Sequence, residues 1–282
     1  MTKLIDTHQH LIYRDRFNYL WSDSLPALAG KDFTVSDYQR LTAEYDVAGS
    51  IFMEVDVGHD YRDETRFVAE LAAEPENKLL GIISSCRPEH DGGFDAWLEE
   101  CAGLPVVGFR RILHEVDDDL SRDEVFRRNV RKIGAQDLTF DMVFRADQLG
   151  IAFELASACD DMGLILDHCG VPDIAGGEID PWRQRISAIA GLPHVACKIS
   201  GILAYCAQGN ATVDAVRPYA EHVIDSFGTD RLVWGSDWPV VNLRSSLPEW
   251  IDVFHQLVAD FSEDEKTAIC SGNAQRIYRV GG

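Results

Sequence analysis

Eight short β-rich runs, each followed by a segment of helical period, organise this 282-residue chain. They are Leu4 to His8, Ser50 to Val55, Leu80 to Ser85, Val106 to Ile112, Leu138 to Phe144, Gly163 to His168, His194 to Ser200 and Arg231 to Ser236. Their apolar character is nearly unbroken, which marks strands of a parallel sheet covered by helices on its outer face. Between them, Val216, Tyr219, Ala220, Val223, Ile224 and Phe227 recur at i, i+3, i+4 spacing. So do Trp250, Val253, Phe254, Leu257, Val258 and Phe261 after the last run, and Leu149, Phe153 and Ala156 before the sixth. Thr34 or Ser36 offers a cap to a helix beginning near residue 36, and Gly228 follows a helix end where a left-handed residue is wanted. No Pro/Gly-rich hinge, repeat or low-complexity stretch interrupts the series. The expectation is an α/β chain forming one (β/α)8 barrel domain over residues 1–282, a size such barrels reach as a single unit.

That architecture directs attention to the carboxyl ends of the strands, where such barrels carry their polar groups. His8 and His10 close the first run, and the two-residue spacing puts both imidazoles on one face. Asp237, in WGSDWP, closes the last, and barrel closure would bring it to them across about 230 residues of sequence. A carboxylate there can take a proton from water, whereas its bland role is a loop cap. His168 in LILDHCGVP is the expected inward group of its run, with Asp167 pointing away behind it as support. Arg110 and Arg111 must face opposite ways, and Arg110 is taken as inward; either could instead pair with the acidic loop Glu115 to Asp119. Lys198 either lines the mouth or snorkels to solvent. Trp21 either roofs a bound ring or anchors the core. The expected catalytic set is therefore Asp237, His168, His8, His10 and Arg110, with substrate contacts from Trp21, Glu54, His114, Lys198 and Trp238. Two imidazoles and a carboxylate in one hollow favour hydrolytic chemistry.

Charge narrows the partners. With 47 acidic against 26 basic residues the net charge is -21, and without a Lys/Arg run a polyanion such as nucleic acid is repelled. No apolar run is long enough to span a bilayer, and Met1, Thr2 and Lys3 lead straight into a strand rather than a leader. Seven scattered cysteines without a C-x-x-C pair suit reduced thiols and a cytoplasmic setting. Assembly into a homo-oligomer is left open.

Five strings, DTHQH at 6–10, LDHCGVP at 166–172, CKISG at 197–201, WGSDWP at 234–239 and SGNAQRIY at 271–278, stand in an order that resembles the amidohydrolase-2 branch of the amidohydrolase superfamily. Within it the chain is similar to the sugar-acid lactonases, such as fuconolactonase and rhamnonolactonase, and to the pyrone-dicarboxylate lactonase. The resemblance implies a (β/α)8 barrel that hydrolyses a small-molecule lactone, with Asp237 as general base. Binuclear members carry a carboxylated lysine on strand four and a histidine on strand five; here those strands read GFRRI and TFDMVFR, so a binuclear centre is not expected. Either no metal is required or one zinc sits on His8, His10, His168 and Asp237. A deoxy-hexonic or other aldonic lactone is the first expected substrate, because Glu54, Asp56 and Asp141 suit hydroxyls better than a dicarboxylate. The rivals are a zinc-dependent decarboxylase of an aromatic or muconate acid on the same scaffold, and a non-catalytic sugar-binding relative.

Overall fold

A computed structural model describes residues 2–281. Eight parallel strands follow one another in chain order around a single sheet: β1 (Leu4–Gln9), β2 (Val47–Met53), β3 (Leu79–Ser85), β4 (Val106–Ile112), β5 (Thr139–Val143), β6 (Leu164–Leu166), β7 (Val195–Ile199) and β8 (Leu232–Trp234). Helices return the chain between them: α1 (Val35–Leu41), α2 (Tyr61–Ala72), α3 (Phe94–Cys101), α4 (Glu124–Gly134), α5 (Leu149–Ala158), α6 (Asp180–Ala190) and α7 (Val213–Phe227). After β8 come α8 (Leu247–Leu257), α9 (Glu263–Thr267) and α10 (Asn273–Tyr278). The fold is the expected (β/α)8 barrel.

The seam between β1 and β8 shows how three-residue β8 can close the ring. Asp6 is wholly buried and accepts from the amides of His8 at 3.0 Å and Ser236 at 2.8 Å and from the Tyr38 hydroxyl at 2.7 Å. Beyond the end of β8, the Asp237 amide donates to the His8 carbonyl and the His10 amide to that of Trp238, both at 2.8 Å. The last strand is thus held to the first by the very residues that carry the polar cluster.

Strand alternation sorts the side chains into two cores. Ile5, Ile51, Met53, Ile83, Ile165, Ala196 and Val233 fill the barrel interior, together with Ala274, Tyr278 and Val280 of the C-terminal segment. The outward residues, Phe52, Phe109 and Phe140 among them, pack under the helices. Along α7 the six-residue stripe is buried in full, and Thr34 caps α1 by accepting from the Asp37 amide. One expectation fails on α5: Phe153 lies on its exposed side at 38% accessibility, while Leu149, Ile151, Ala152, Leu155 and Ala156 form the buried face. In so apolar a helix, spacing does not single out the face that packs. All seven cysteines are buried free thiols.

Candidate active site

One step above the apolar filling, the barrel interior turns ionic. Arg110 on β4 donates from Nε to Glu54 Oε1 at 2.8 Å and from Nη2 to the Glu54 carbonyl at 2.7 Å. Its Nη1 stands 3.3 Å from His8 Nε2 and 3.5 Å from Asp167 Oδ2. Lys198 on β7 donates to the Thr7 carbonyl at 3.0 Å and to Asp141 Oδ2 at 2.6 Å, with Asp167 Oδ1 at 3.2 Å. Tyr278 also donates to Asp141, at 3.2 Å. Two cations are thus set among three carboxylates with almost no exposure, an arrangement sustained only because each charge has an opposite neighbour. Burial pulls the Asp141 carboxyl up to about 6. Burial acts on Asp167 in the same sense, but the Lys198 ammonium outweighs it and holds that carboxyl well below its usual range. Glu54 is likewise held down against burial by Arg110.

Above this layer lie three imidazoles and one carboxylate. Asp237 Oδ1 is 3.2 Å from His10 Nε2 and 3.7 Å from His8 Nε2, and Oδ2 is 3.9 Å from His168 Nδ1. Burial lowers the pKa of both His8 and His168, so neutral rings are favoured. His10 Nδ1 lies 2.9 Å from the Met53 carbonyl, which assigns the proton to Nδ1 and leaves the Nε2 lone pair facing the Asp237 carboxylate. Two acceptors at that separation call for a proton or a cation between or beside them. One ligand atom from each of His8, His168 and Asp237 lies within 4.8 Å of the others, and two imidazoles with a carboxylate are a zinc donor set. The residues present therefore fit a single zinc. His10 stands against the carboxylate, outside that three-residue group.

The turns that present these groups are conformationally demanding. His168, Cys169, Val171 and Asp237 all have φ between 46° and 54°, a region that side-chain-bearing residues rarely occupy and that a β-branched residue adopts least readily. Outliers of this kind gather where surrounding structure fixes them for a purpose. The first of these turns corrects an expectation. Because β6 stops at Leu166, alternation no longer governs Asp167 and His168, and both face the cluster: Asp167 Oδ1 is 3.5 Å from His8 Nδ1 instead of supporting His168 from behind.

The other expected residues divide. Arg110 points inward, while Arg111 pairs with Glu89 at 3.0 Å; neither ion-pairs with the Glu115 to Asp119 loop. Lys198 neither lines the mouth nor snorkels, because its ammonium is spent on buried partners; it is an internal counter-ion and not a substrate contact. Glu54 is also corrected, since its carboxylate is committed to Arg110 and the Asp56 amide. Trp238, next to inward Asp237, is turned away from the cluster and packs on Phe33 and Tyr38, at centroid distances of 5.4 and 5.6 Å. Trp21 is half-buried and donates to the Val55 carbonyl at 2.8 Å, beside the end of β2. His114 sits at the rim, and burial with nearby cations lowers its pKa to about 4. Ser200, a polar residue expected late in its strand, places Oγ 3.0 Å from His168 Nδ1, and the Tyr205 ring, which nothing in the sequence signals, packs edge-on to His168 with centroids 6.3 Å apart. Tyr205 also lines a cavity of about 490 Å³ with Arg145, Asp173, Glu178 and Arg185.

Gly201 tests how closely the cluster is fitted. It has φ 67°, and a Cβ there would run into Asp237 Oδ2 and stand 2.9 Å from His168 Nδ1. Gly201→Ala should cost about 1–2 kcal/mol of backbone strain. Because it also displaces the carboxylate, turnover should fall about tenfold or more with the fold retained. Rates and circular dichroism on the purified variant check this, and wild-type turnover would show the site to be loosely packed.

A family model described as an amidohydrolase matches residues 5–280. The chain is similar to an L-fucono-1,5-lactonase of Burkholderia ambifaria, at 27% identity over 99% of this chain and 97% of that one. It is 32% identical to a 4-sulfomuconolactone hydrolase of Rhizobium radiobacter, over 98% of this chain and 89% of the relative. A crystal structure of an amidohydrolase from Burkholderia multivorans with bound zinc superposes with a TM-score of 0.91 at 27% identity, covering 99% of this chain and 100% of that one.

Proposed function

This chain belongs to the amidohydrolase family, and from that premise we propose that it hydrolyses a lactone, a sugar-acid lactone first among them, with Asp237 as the base. The observation that carries this reading is the Asp237 carboxylate ringed by three imidazoles at 3.2–3.9 Å in the mouth of the barrel. Asp237 takes a proton from the water that attacks the lactone carbonyl. His8 and His10 border the reacting centre, while Arg110, whose donors are taken by Glu54, His8 and Asp167, holds His8 in position and does not itself meet the oxyanion expected of it. Asp237 then returns the proton it took, directly or by way of His168, to the ring oxygen as its bond to the carbonyl carbon breaks. The mixed acidic, basic and hydroxyl lining of the cavity beside Tyr205 suits a hydroxyl-rich ring.

A zinc would be held by His8, His168 and Asp237, and it would supply Lewis-acid polarisation and a more acidic water. Protein produced in zinc-supplemented medium should carry about one zinc per chain by elemental analysis. His168→Ala should lose most of it, and full occupancy in that variant would remove His168 from the metal site. No helix among the described residues is long and apolar enough to cross a membrane. The seven free thiols support a cytoplasmic setting, and we take residues 1–282 as one domain.

Proton release followed on a panel of aldono-lactones tests the reading. Saturable acidification with at least one sugar-acid lactone is expected. Carbon dioxide evolution from an aromatic acid with no ring opening would instead make it a decarboxylase, and binding without turnover a sugar-binding relative.

A further inference from the structure

We propose that a second cavity, on the opposite side of the barrel wall from the catalytic cluster, binds a small oxyanion: a molecule that presents a carboxylate or phosphate. The cavity holds about 340 Å³ and lies against α2 and α3 at the carboxyl ends of β2 to β4. Arg111, the outward neighbour of inward Arg110, forms part of its wall. Arg62, Arg87, His59 and His90 also line it, with Glu89 as its one acidic group, already paired to Arg111 at 3.0 Å. In a chain of net charge -21 this is a local reversal of sign.

Arg62 and Arg87 are built in before any ligand arrives. Both guanidinium groups flank the Tyr61 ring, at 5.6 and 4.7 Å from its centroid, and Arg62 also lies 5.3 Å from that of Trp97. Arg62 donates to the Tyr61 hydroxyl at 3.1 Å and to the Gly93 carbonyl at 3.2 Å. Arg87 donates to Ser85 Oγ at 2.7 Å and to the carbonyls of Cys86 at 2.9 Å and Gly58 at 3.1 Å. These bonds fix each fork yet leave Arg62 Nη1 and Arg87 Nε without a partner among the described residues, and neither side chain forms an ion pair there. Helix α3 begins at the same cavity, where Gly92 and Phe94 line it and no side chain caps the helix start. Cations held by neutral partners, with donors to spare and little side-chain freedom left to lose, are the arrangement that favours an oxyanion.

The test is calorimetric titration of the full chain with inorganic phosphate and with citrate at low ionic strength, with chloride as control. Saturable binding of either oxyanion is expected, weakened about tenfold or more in Arg62→Gln/Arg87→Gln, while lactone turnover changes less than about twofold. A lactone assay that fails leaves this measurement intact, so the two readings fall separately. On the unaltered chain, phosphate should shield Arg62 and Arg87 from phenylglyoxal, mapped by peptide mass spectrometry, while exposed Arg16 stays reactive. No saturable binding, an equal effect of chloride, unchanged affinity in the double variant, or shielding confined to other arginines would each overturn the proposal.

Discussion

Asp237→Asn should lower turnover of the lactone substrate by about a hundredfold or more, the usual cost of losing a general base. The change keeps the side chain's shape and its left-handed turn, so the loss should fall on kcat with KM little altered. Asparagine can still sit beside His10 at the 3.2 Å contact but cannot accept the proton from water. Initial rates from indicator-coupled proton release, with circular dichroism to confirm the fold, make the measurement. Wild-type turnover in the variant would take Asp237 out of the chemistry and leave the proposed mechanism without its base.

Lys198→Met is expected to destabilise the protein by about 3–5 kcal/mol, because it leaves Asp141 and Asp167 as buried carboxylates without their shared cation. For a chain of 282 residues that is a drop in melting temperature of about 5–8 °C. The pH dependence follows from the sign of the shifts. Asp141 already has a folded-state pKa raised by burial to about 6, above its unfolded value, so it penalises the fold as pH rises through that interval. Asp167 is depressed, so its contribution is present at neutral pH and lost as pH falls. Removing Lys198 pushes both carboxyls upward, and the deficit should therefore be greater near pH 8 than near pH 5. Thermal unfolding at the two pH values measures it, and Lys198→Met/Asp141→Leu should recover part of the loss. A single variant within about 1 kcal/mol of wild type would mean that the ionic layer carries little of the stability.

Much of this molecule could be read along the chain, where local rules govern. The run Val106–Ile112 is β4 to the residue, and the α7 stripe is the buried face in full, because period and apolarity are properties of neighbouring residues. His8, His10 and Asp237 were brought to one mouth by the same logic: strand ends in a closed parallel barrel share a face. Reading failed where alternation stopped. Asp167 lies just past three-residue β6, beside a left-handed turn, and faces the cluster where an extended strand would turn it away; Trp238, next to inward Asp237, packs outward on Phe33 and Tyr38, as alternation requires of it.

Sequence alone determined the order of elements, the barrel and the residue types at its carboxyl end, since these depend on spacing and on which side chains water rejects. Tertiary structure alone decided which charges neutralise one another: that Glu54 holds Arg110, that Lys198 bridges Asp141 and Asp167, and that Tyr278 reaches Asp141 from 137 residues away. A buried charge takes whichever opposite partner the packed interior places within reach, and that distance exists only once the ring has closed.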